Sequence, residues 1–110
     1  MRHSLALFMI LTACTWVMWE KKIFLPPSGQ LVTASTHWAA MMTSESLEEC
    51  RSLISPALES RRTMFEKVEG LKPTILNGSL FVVPDRRLPP NFDSVVYKFE
   101  CWQENLDPRK

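Results

Sequence analysis

The sequence predicts an α+β domain: one main helix packed on a small antiparallel sheet, stapled by a disulfide, after an N-terminal signal peptide or anchor. Three observations carry the fold. Apolar residues recur at three and four between residues 47 and 68. Asn77-Gly78 stands between two apolar runs, as a tight hairpin requires. Tyr97, Phe99 and Cys101 alternate with Lys98 and Glu100, the period of a half-buried strand.

The leader comes first in the chain. Arg2 and His3 precede an unbroken apolar stretch over residues 5–19. About 15 residues suit the apolar core of a signal peptide better than a membrane span, which needs about 20. Ala13, Cys14 and Thr15 supply the small residues that a signal peptidase needs. The chain therefore divides into a signal peptide or membrane anchor over 1–14 and a single small α+β domain over 15–110. "LTAC", residues 11–14, also fits a bacterial lipoprotein signal with the lipid on Cys14, although Thr15, Trp16 and Val17 replace the small polar residues that usually follow. Cleaved, retained and lipidated leaders all stay open. Arg2 on one side of the stretch and Lys21 and Lys22 on the other set no orientation.

After the leader, Trp, Val, Ile and Phe in "TWVMWEKKIF" predict a strand over 15–24. "LPPSGQ" breaks it with turn chemistry, and "THWAAMM" predicts a second strand over 37–42. Ser46 followed by Glu49 is a capping box and opens the helix. Leu47, Cys50, Leu53, Ile54, Ala57, Leu58, Met64, Phe65 and Val68 form its apolar face. Glu48, Glu49, Arg51, Glu59, Arg61, Arg62, Glu66 and Lys67 fall mostly on the solvated one. Gly70 predicts the stop, giving a helix over 47–69 with a kink or break at 52–55 where Pro56 removes a backbone donor. A short hairpin over 74–83, a loop through "DRRLPPNFD", a last strand over 95–102 and a polar tail complete the chain.

Composition excludes several functions. Lys and Arg number 13 against 12 Asp and Glu, so no basic excess exists to bind nucleic acid. His37 stands without a second histidine in the mature chain, and no CxxC is present, so no zinc site is expected. The three glycines, at 29, 70 and 78, cannot make a phosphate loop. No Gly-x-Ser-x-Gly elbow or other nucleophile–base set appears. Glu48 and Glu49 diverge as helix neighbours. The reading is of a chain without cofactor and without catalysis. Trp16, Trp19, Trp38 and Trp102 are either sheet cover or a binding surface.

Cys50 on the apolar helix face and Cys101 on the apolar strand face point at one core, so a disulfide between them is geometrically reasonable. With residues 1–14 removed, these two remain as an even pair. The competing reading is two buried thiols in a reducing compartment.

Trp16, Val17, Trp19 and Glu20, then Trp38, then Glu49 and Cys50, then Cys101 with Asp107, Pro108 and Arg109 form a recurring order. It resembles an uncharacterised group of small exported bacterial proteins with a WVLW-like start, a cysteine where a helix begins, and a C-terminal Cys followed by DPR. The likeness frames the mature chain rather than covering it. Trp102, Gln103 and Glu104 replace a proline-bearing segment, and residues 56–92 have no counterpart. The resemblance implies export and the cysteine pair and supplies no chemistry. The expectation is an exported domain, periplasmic or secreted, that binds another envelope component, touching the membrane only through an uncleaved N-terminal segment. The alternative is a membrane-anchored accessory protein.

Overall fold

The computed structural model describes residues 15–26, 35–85, 87–88 and 93–110. The leader, with Cys14 and His3, lies outside the described residues. Seven elements follow in order: β1 (Trp16–Leu25), β2 (Ser35–Ser44), α1 (Leu47–Ser52), α2 (Ile54–Glu66), β3 (Leu71–Leu76), β4 (Ser79–Pro84) and β5 (Ser94–Gln103). The strands make one five-stranded sheet in the order β2-β1-β5-β4-β3, and every neighbouring pair is antiparallel. Both helices pack on one face, so the fold is α+β.

The helical segment breaks within the expected 52–55, and Pro56 explains why. Ser46 caps α1 as expected, its Oγ accepting the Glu49 N–H at 3.0 Å. The missing N–H of Pro56 would have reached back to the carbonyl of Ser52, the last residue of α1. The chain therefore breaks at Leu53 and restarts, placing Pro56 in the first turn of α2, where a backbone donor has no helical partner anyway. Two helices replace one bent helix over 47–69, and the second stops at Glu66.

The expected apolar face continues across the break, with one charged member added. Ile54, Ala57, Leu58, Arg61 and Phe65 share the inward face of α2, at spacings of three and four. Met64 and Val68, expected inside, are 47% and 46% exposed. Arg61, expected outside, turns toward the sheet. The core gathers Met18, Cys50, Leu58, Leu80, Val82, Tyr97 and Phe99, with Trp16, Leu53, Ala57 and Phe65 packed around it.

The hairpin forms where Asn77-Gly78 put it, with φ of 50° and 75°, the positive pair that a type I′ turn needs. Its strands are longer than expected. β3 begins at Leu71 and runs through Pro73, which pairs with Val82. An edge strand tolerates a proline there because one side of its backbone faces no neighbour. Gly70 does not end the helix but turns the chain into β3 at φ +90°, and a Cβ there would lie 2.7 Å from Leu88 Cγ. β2 likewise extends to Ser35–Ser44, beyond the expected 37–42.

Candidate functional site

Cys50 and Cys101 are bonded, with S–S at 2.10 Å and Cα atoms 6.1 Å apart. Cys50 is completely buried. Cys101 sits on β5 opposite Met18 of β1, so the bond fastens α1 to the middle of the sheet, under the core. Its sulfurs face packed side chains rather than a cleft, which is the setting of a structural staple.

Beside it lies a group that the sequence pattern concealed. Met18, Glu20, Lys22 and Phe24 occupy the helix-facing side of β1. Glu20 is 6% exposed, and its carboxylate accepts the Nε–H of Arg61 at 2.7 Å. Tyr97, also buried, has its hydroxyl pKa pushed up by burial, with the Glu20 charge adding and Arg61 opposing. The Lys22 ammonium lies 5.4 Å from the centre of the Tyr97 ring and 5.8 Å from that of Phe24. The alternation along β1, read against the inward Cys101, is the signal that would have placed Glu20 inside. The arginine compensates the buried carboxylate, which makes the pair a device for holding α2 over the sheet.

Among the described residues, the opposite face of the sheet carries no helix. Val17, Trp19, Lys21 and Ile23 of β1 point there, with Trp102 opposite Val17 and Trp38 opposite Lys21. Three of the four tryptophans thus gather on one face, while Trp16 packs on the helix side. Trp38 and Trp102 meet edge to face, 6.2 Å between ring centres. The Lys21 ammonium sits 5.2 Å from the Trp38 ring centre, and Trp102 Nε1–H donates to Glu100 at 3.0 Å. Both rings remain half-exposed.

The polar tail folds back onto this face. Glu104 N–H donates to the Thr15 carbonyl at 3.1 Å. Asp107 accepts from the Arg109 backbone N–H and from its guanidinium, at 2.7–2.9 Å. These bonds hold the Asp107 carboxyl down at about 2. The guanidinium so fixed lies 5.1 Å from the Trp19 ring centre, and Trp19 is buried. Asp107 and Arg109, noted only as an end motif, are therefore a clamp over one tryptophan of the three.

On the helix side a cavity of about 580 Å³ opens among Phe24, Phe65, Val82, Leu88 and Val95, with Glu69 and Asp93 at its exposed margin. His37 stacks edge-on against Phe24, ring centres 5.4 Å apart. Among the described residues, no three His, Cys, Asp or Glu converge on a metal position, and no helix is long and apolar enough to cross a membrane. Comparison with known proteins finds no matching family model, no curated relative and no similar solved structure.

Proposed function

We propose that the protein is an exported, non-enzymatic binding domain of the cell envelope, periplasmic or secreted, presenting the helix-free face of its sheet to another envelope component. The observation that carries this reading is the half-exposed Trp38–Trp102 pair beside Lys21 and Glu100. Large rings with polar tips on a rigid sheet are the side chains that interfaces favour. The buried disulfide supports an oxidising compartment.

The strand assignment bears on the leader. β1 begins at Trp16, so the last residues of the apolar stretch belong to the sheet. What precedes them is about 11 residues, short of the roughly 20 that span a bilayer. This favours a cleaved signal peptide over a retained anchor.

The test is expression of the full chain in a bacterial host, with fractionation, N-terminal sequencing and thiol alkylation. The reading predicts a periplasmic or extracellular product starting near residue 15, with neither Cys50 nor Cys101 alkylated until reductant is added. A product in the membrane fraction that starts at Met1 would establish the anchored alternative. Reduced cysteines in the cytoplasm would overturn both.

A further inference from the structure

The two edges of the sheet are built differently. β3 is six residues long, carries Lys72 and Pro73, and lies beneath α2. Short length, a lysine and a proline are the usual protections of an exposed edge. β2 has none of these three, although a bulge at Met41 interrupts its register with β1. It is ten residues long, "STHWAAMMTS", without charge or proline, and apart from Ser44 no residue of it is buried. Met41 and Met42 are 40% and 45% exposed. Among the described residues, only β1 pairs with β2, so one side of its backbone presents free N–H and C=O groups.

A groove of about 350 Å³ adjoins this edge on the helix side, walled by Met18, Met41, Met42, Leu53, Ala57 and Phe99. Leu53 and Ala57 of the helix layer form one wall, with Ser60 and Arg61 at its margin, so the groove runs between the helices and the β2 edge.

We propose that β2 pairs antiparallel with β2 of a second copy across a two-fold axis, continuing the sheet through both chains. The second copy is the occupant that the chemistry fits. A strand without charge meets itself without repulsion, and the chain carries a net charge of only +1, so two copies approach without long-range opposition. The same two-fold brings methionines of each chain toward the groove of the other, where flexible thioethers fill irregular apolar space. Pairing satisfies the free backbone groups of both copies at once. The surface used is the sheet edge, distinct from the aromatic face assigned to the envelope partner.

Sedimentation equilibrium of the oxidised, exported protein tests this directly. The wild type is expected at twice the mass of its single exported chain at micromolar concentration, dissociating on dilution. Ala39→Lys with Met41→Lys is expected to give the single-chain mass at concentrations where the wild type is fully paired, because the two-fold sets the new charges against one another. Thr74→Lys on the β3 edge is the control and should leave the pairing intact. Hydrogen exchange of the wild type supplies a readout independent of any variant: β2 amides should gain protection as concentration rises, and β3 amides should not. A wild type that stays single-chain across the concentration range overturns the proposal. So does a pair that survives the β2 lysines, or β2 protection that ignores concentration.

Discussion

Removing the disulfide should cost a large part of the stability of the domain, with a pattern that follows from the burial of Cys50. Cys50 and Cys101 are 51 residues apart in sequence. In the chain-entropy account, opening a loop of that length releases about 4 kcal/mol of denatured-state freedom at 25 °C. Small domains have net stabilities of about 5–15 kcal/mol, so the loss is large. For a domain of this size it corresponds to roughly 15–30 °C in melting temperature. Cys50→Ala, Cys101→Ala and the double variant should fall by the same amount, because either end removes the whole bond. Serine separates the two ends. Cys50 is fully buried and Cys101 is not, so a hydroxyl at 50 adds a desolvation cost of about 1–3 kcal/mol that a hydroxyl at 101 largely avoids. Urea unfolding of the five variants, with and without reductant, gives every term. The reductant should bring the wild type down to the alanine variants. An unchanged wild-type midpoint in reductant, or alanine singles that add in the double, would refute the reasoning.

Two further outcomes follow from the charged groups. Arg61→Leu leaves the Glu20 carboxylate buried without a partner, a loss of about 3 kcal/mol, while Glu20→Leu with Arg61→Leu should recover most of it in urea unfolding; equal losses in the single and the double would show that the pair is not what fixes α2. Acid should release the tail: the Asp107 carboxyl, held to about 2 from its ordinary 3.8 by Arg109, keeps its stabilising charge above the ordinary value and loses it as pH falls through about 2. The Trp19 indole resonance reports the step by NMR, and Asp107→Ala should reproduce the acid spectrum of that residue at pH 7; a Trp19 signal indifferent to the substitution would dissolve the clamp.

Where local chemistry decided the structure, the sequence showed it. Asn77-Gly78 dictates its own turn, Ser46 its own cap, and the alternation through Tyr97, Phe99 and Cys101 a strand with one wet side, which together pointed to the Cys50–Cys101 bond. Pro56 announced its break as well. Arg61 was read as solvated because it is charged, although it stands four residues from both Ala57 and Phe65 on the inward face. Glu20 was hidden for a related reason: a carboxylate in a strand reads as a solvated position until its arginine, 41 residues away, is known. Trp19, Trp38 and Trp102 lie far apart in sequence, and only the strand register places them on one face. The return of the tail over Trp19 rests on a cation and a ring that no periodicity links.

The place of β5 in the sheet has a consequence for biogenesis. The strand made last lies in the middle, between β1 and β4. Until it emerges, the β1–β2 hairpin and the β3–β4 hairpin have no common neighbour, and Cys50 lacks its partner Cys101. The core therefore stays unfinished until residues 94–103 have been made. Until residues 94–103 are in place the sheet cannot close and the Cys50–Cys101 bond cannot form. A ribosome that stops short of that segment releases two unjoined hairpins, which quality-control proteases can clear before any folded fragment accumulates.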